Sequence, residues 1–91
     1  MPEFVVEHEI PGAGQWTAKE RRKASQKSVE VLRSLGPEIQ WVESYVTDDK
    51  LDCVDIAPCP ELIRTHGAQG GFPTNRISGV KAGLDPTAAE G

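Results

Sequence analysis

Glycine and proline cut this 91-residue chain into short alternating segments, and that punctuation constrains the fold more than any single motif does. Pro11-Gly12-Ala13-Gly14 breaks a strand-like run over about Glu3 to Glu9. Gly36 suits the left-handed end of a helix, and Pro37 prevents its continuation. Two runs rich in Ile, Val, Trp and Tyr follow, Glu38 to Val46 and Leu51 to Ala57. Thr47-Asp48-Asp49-Lys50 joins them with turn chemistry, so they predict a hairpin. Pro58-Cys59-Pro60 ends the second arm. Pro60 fits a first helical position, and Gly70-Gly71 ends that helix. A last short strand, about Thr74 to Val80, comes after Pro73. The order strand, helix, strand, strand, helix, strand predicts an α+β, ferredoxin-like βαββαβ domain over residues 1–80. Its antiparallel sheet carries both helices on one face. The small polar tail 81–91 is expected to be flexible or docked on a partner subunit.

Periodicity supplies the faces. Thr17-Ala18-Lys19-Glu20 fits a capping box, and the helix after it presents Ala24, Ser28, Val31, Leu32 and Leu35 as a narrow buried stripe. In the hairpin one parity holds Ile39, Trp41 and Tyr45, and the other holds Val42 and Val46. The next strand sets Leu51 and Cys53 against Val54 and Ile56. Both sheet faces are thus apolar enough to need cover, and the helices can cover only one. An exposed apolar face marks an interaction surface. Two copies are therefore expected to pack sheet to sheet as an isologous homodimer of the dimeric α/β-barrel type. A chain this short buries only about 60–65% of its unfolded surface, so the added burial would help.

Charge excludes some classes. The formal net charge is -4, and the basic residues between Lys19 and Arg33 alternate with Glu20 and Glu30 as on a solvated helix face. A nucleic-acid partner, which needs a basic stripe, is not expected. No run approaches the ~18 apolar residues of a membrane span, and Met-Pro-Glu-Phe lacks the regions of a signal peptide. A cytoplasmic protein is expected, with its two cysteines as thiols. The spacing of Cys53 and Cys59 matches no zinc motif.

Both histidines fall where an apolar side chain would fit. His66 aligns with Leu62 and Ile63 at helical spacing, and His8 keeps step with Phe4 and Val6. With Cys53 they form a candidate donor set for nickel or another divalent transition metal, because imidazole and thiolate suit such ions. His66 lies about 9 Å into its helix, about three strand residues, which puts it level with Val54 and near Cys53. Parity opposes the set. If Val54 and Ile56 face the helices, Cys53 faces the dimer side; the three meet only if Leu51 and Cys53 take the helix side. Without a metal, His66 is a hydrogen-bonded helix residue, His8 pairs with Glu7 or Glu9, and Cys53 is a small buried hydrophobe. Cys59, at a helix N-cap, is either a reactive thiol or a tolerated substitution.

An enzyme would use His66 as general acid or base, with Trp41, Tyr45 and Asp55 lining a sheet–helix pocket. Asp55 shares parity with Leu51 and Cys53, and if buried it needs a partner. No nucleophile–base motif and no phosphate loop occurs. The expectation is a small ligand-binding protein rather than an enzyme; a plain accessory protein is the remaining class.

Several stretches also resemble a known family. They are Gln40-Trp41, Tyr45 to Lys50, Cys53-Val54, Ala57-Pro58, Gly70-Gly71-Phe72-Pro73, the opening Glu7 to Gly12 and the closing Asp85-Pro86-Thr87-Ala88. Together they are similar to domain of unknown function 4242 (DUF4242), also labelled nickel-binding protein, a family of small bacterial ferredoxin-like dimers. The resemblance implies that fold and, for one branch, nickel binding, with His8, Cys53 and His66 at matching positions. That branch has a further histidine where this chain has Glu9.

Overall fold

A computed structural model describes residues 2–90. Strand β1 spans Glu3–Glu9, helix α1 Ala18–Leu35, β2 Gln40–Val46, β3 Lys50–Ile56, α2 Pro60–Gly70 and β4 Arg76–Gly79. The four strands form one antiparallel sheet in the order β2-β3-β1-β4. Phe4, Val6 and Cys53 from the sheet join Ile63 and Leu62 of α2 and Leu32 and Leu35 of α1 in a single core. Both helices therefore cover the same face, as in the ferredoxin-like arrangement. No helix among the described residues is long and apolar enough to cross a membrane.

Local chemistry accounts for the element ends. The Thr17 hydroxyl accepts from the Glu20 amide at 3.1 Å, and the Glu20 carboxylate accepts from the Thr17 amide at 2.9 Å. Two helix donors that would otherwise lack partners are satisfied this way. Ser28 and Val31 are buried along the expected stripe. Helix α2 begins at Pro60 and stops at Gly71, whose φ of 77° is left-handed.

The loop after β1 is tied to the β2–β3 turn. The Ile10 amide donates to the Asp49 carbonyl at 2.9 Å, and the Gly14 amide to the Asp48 carbonyl at 3.0 Å. A β-carbon on Gly14 would lie 2.8 Å from the Asp48 α-carbon, so only glycine permits this approach. The contact carries Trp16 to the edge of the sheet–helix space.

Strand parity differs from one expectation. Val6 pairs with Cys53, Phe4 with Asp55 and His8 with Leu51. Side chains directly opposite in an antiparallel pair share a face. Leu51, Cys53 and Asp55 therefore face the helices, whereas Val54 and Ile56 lie half-buried on the far face. In β2 the pairing shifts between Trp41 and Glu43, a bulge at Val42. Trp41 and Ser44 consequently share the helix side, and Tyr45 turns to the far side. On the far face the Lys50 ammonium lies 3.2 Å from the Glu7 carboxylate.

The Gly14 contact makes a measurable demand. Gly14→Ala should lower stability by about 1–3 kcal/mol, the usual cost of overpacking, read as a lower denaturation midpoint at unchanged m-value. An unchanged midpoint would mean that the loop does not rest on the Asp48 backbone.

Candidate ligand cavity

Between the helices and the sheet lies a cavity of about 230 Å³. Its floor is β-sheet: His8 from β1, Trp41 and Ser44 from β2, Cys53 and Asp55 from β3. Its roof includes Ser28 of α1 and His66 of α2, and Trp16 and Phe72 border it from loops. Of the site residues expected from sequence, His8, Trp41, Cys53, Asp55 and His66 come together here. Tyr45 does not. The bulge at Val42 turns it outward, and it is 57% exposed on the far face.

His8 is buried, and its Nδ1 lies 2.6 Å from the Pro73 carbonyl. A carbonyl only accepts, so Nδ1 carries the proton and donates. Burial lowers the His8 pKa, opposed in part by the Pro73 contact and by the charge of Asp52. The neutral ring therefore keeps a lone pair on Nε2. Phe72 packs against the same ring at 6.0 Å between centroids. Neither Glu7 nor Glu9 pairs with it; Glu7 binds Lys50, and Glu9 accepts from Asn75.

His66 is buried, and its Nε2 lies 3.0 Å from the Ser28 hydroxyl. Burial also lowers its pKa. A hydroxyl beside an imidazole is the first half of a nucleophile–base arrangement, which further needs an orienting acceptor and oxyanion donors. The hydrogen bonds of the described residues supply His66 with Ser28 alone, so Ser28 serves to satisfy a buried ring. Cys53 belongs to a short polar chain. The Trp41 indole N–H donates to the Ser44 hydroxyl at 2.8 Å, and that hydroxyl donates to Cys53 Sγ at 2.8 Å. Burial pushes the Cys53 thiol up to about 11, so it is protonated at neutral pH.

Asp55 differs from the other lining groups. It is 3% exposed, and its Oδ1 has no hydrogen-bond partner among the described residues. Burial pushes its carboxyl up to about 6. An unpaired buried polar atom costs about 1–3 kcal/mol, and such orphans in folded proteins call for an explanation.

The donor chemistry of His8, Cys53 and His66 suits nickel, and all three line one space. Yet among the described residues no three His, Cys, Asp or Glu side chains are close enough to hold one ion. Cys59 caps α2 without a side-chain hydrogen bond and remains half-buried as a free thiol.

The profile of the family described as "Nickel responsive protein SCO4226-like" matches residues 4–80. The chain belongs to that family. The crystal structure of SCO4226 from Streptomyces coelicolor A3(2) superposes with a TM-score of 0.75, over 90% of this chain and 99% of that one. At 15% sequence identity this similarity shows a shared fold. A search of curated proteins finds no match.

Sequence reasoning missed Trp16, Ser44 and Phe72 as lining residues. The roles of Trp16 and Phe72 depend on loop paths, which periodicity does not report. Ser44 was hidden by the bulge. Ser28 did carry a signal, because a hydroxyl inside an otherwise apolar stripe needs a buried partner.

The Asp55 carboxyl should titrate near 6 by carbon-13 NMR rather than near its ordinary value of 3.8. Its folded pKa is raised, so its contribution to stability is present below about pH 4 and is lost as pH rises through about 6. Relative to Asp55→Asn, the wild type should lose up to about 3 kcal/mol over that window. His8 and His66, whose pKa values are lowered, act oppositely and lose stability as pH falls below about 6.5; the comparison with Asp55→Asn cancels their contribution. A stability difference independent of pH would contradict the burial of Asp55.

Proposed function

We propose that this protein binds a small ligand in the cavity between its sheet and its helices. The observation that carries this is the convergence of His8, Cys53, Asp55 and His66 on one space that also has aromatic walls. Mostly apolar walls with a few convergent polar groups are the usual composition of a ligand site. An engineered apolar cavity of about 150 Å³ holds benzene. A cavity of about 230 Å³ suits a molecule somewhat larger than that.

Nickel is the second candidate ligand, and the family's description favours it. His8 supports it as well, because a ring whose Nδ1–H is held by a carbonyl presents its Nε2 in the manner of a metal-binding histidine. Cys53 and His66 are the other donors. A nickel ion would have to displace the thiol proton and draw these side chains closer than they now stand. Catalysis with His66 as acid or base is not favoured by its contact with Ser28.

The far sheet face is proposed to pair with a second copy. Val5 and Tyr45 are exposed there, beside half-buried Val54 and Ile56. The tail from Lys81, with Leu84 88% exposed, is proposed to dock on that partner. Two free cysteines suit a reducing compartment, and we place the protein in the cytoplasm.

Two measurements check these proposals. In a nickel titration of metal-free protein, binding should be tighter than about millimolar, with thiolate-to-nickel absorption that Cys53→Ala removes and affinity that His66→Ala weakens. Weaker binding, or binding unchanged in both variants, would eliminate nickel and leave an organic ligand. Sedimentation should give about twice the 9.9 kDa chain mass, and Tyr45→Glu should return it to the monomer value. A monomeric wild type would refute pairing through this face.

A further inference from the structure

Asp55 places the most specific chemical demand on whatever enters the cavity. Its carboxylate lies on β3 at the floor, 97% removed from solvent by its 3% exposure, with Oδ1 unpartnered among the described residues. Among the described residues, the groups beside it do not supply the missing donor. Trp41, opposite Asp55 in the β2–β3 pair, already donates its indole N–H to Ser44. Phe4, opposite it in the β1–β3 pair, has no polar atom. The Ser44 hydroxyl is directed to Cys53. Arg21 also lines the cavity, but its guanidinium donates to the Trp16 carbonyl at 2.7 Å. It forms no ion pair with Asp55 among the described residues.

We infer that the ligand is a compact planar molecule that presents a cationic or strongly polarised N–H group to Asp55, with its apolar body against Trp16, Trp41 and Phe72. This rests on the ligand-binding role proposed for the cavity and specifies what the cavity selects. Two physical terms favour such a ligand. A charge-assisted hydrogen bond to a buried carboxylate is about twice as strong as a neutral one. Indole faces attract cations and stack on flat rings. A ligand bearing a carboxylate or phosphate is disfavoured, because it would place a second negative charge beside Asp55 in a low dielectric.

Benzamidine and acetophenone test this. They have nearly the same shape, but only benzamidine carries N–H donors and a positive charge. Each is titrated into the full chain while amide chemical shifts are followed by nitrogen-15 NMR. Benzamidine is expected to bind at least about tenfold more tightly than acetophenone, the effect of one charge-assisted hydrogen bond. In Asp55→Asn that preference should disappear while acetophenone binding stays within about twofold, which also reports that the variant is folded. Equal affinity of the two probes for wild type would overturn the inference and leave the cavity as a ligand site. So would a benzamidine preference that survives in Asp55→Asn. If neither probe shifts the amides of residues around the cavity, the ligand-binding role fails and this inference with it.

Discussion

The pairing of Val6 with Cys53 in the antiparallel β1–β3 ladder determines which side chains meet between the sheet and the helices. Strand side chains alternate with period two, so one fixed pair assigns every other position. With Val6 and Phe4 in the core, His8 must follow them inward from β1. Leu51, Cys53 and Asp55 must do so from β3. A slip of one residue would send Asp55 and Cys53 to the far face and bring Val54 and Ile56 under the helices, giving a more apolar core with no chemistry in it. The register keeps a carboxylate inside at a cost in stability, and that cost is the best indication that the interior does something besides pack.

Around that register the remaining elements add specificity. The bulge at Val42 lets Trp41 and Ser44 face the same way, so the indole, the hydroxyl and the Cys53 thiol form a continuous chain of hydrogen bonds. The Pro73 carbonyl fixes the tautomer of His8, and Ser28 satisfies His66. The loop through Gly14 holds Trp16 at the cavity border by resting on the Asp48 backbone. Asp55 Oδ1 is a buried atom on the lining residues that has no hydrogen-bond partner among the described residues. A site in which His8, His66 and Cys53 are each held by a hydrogen bond while the buried carboxyl of Asp55 has an unpartnered oxygen suits a ligand that supplies a donor.

Much of the frame was legible in the sequence, because glycine, proline and capping residues act locally. The Thr17–Glu20 box, the stop at Gly36-Pro37 and the start of α2 at Pro60 depend on neighbours a few positions away. The step that His8 keeps with Phe4 and Val6 was readable in β1, but which face the three take was not; pairing with β3 decides it. Nor was the orientation of β3 readable. Hydrophobicity alone favours Val54 and Ile56 for the core over Cys53 and Asp55, and the outcome depends on pairing with a strand far away in the chain. The orientation of Tyr45 was lost for a related reason, since a single inserted residue in β2 inverts every later position. The cavity joins residues from every strand but β4 with both helices, and no local pattern encodes such a junction.

Ligands are proposed to enter on the helix side of the sheet, among the residues that the β1–β3 register gathers there. The most direct test is a set of intermolecular nuclear Overhauser contacts between isotope-labelled protein and a small aromatic probe such as toluene. Contacts from one bound probe to both the Trp41 indole and the His66 ring are predicted, with none to Tyr45. Contacts to Tyr45 and Val5 instead would place binding on the opposite face and contradict the account.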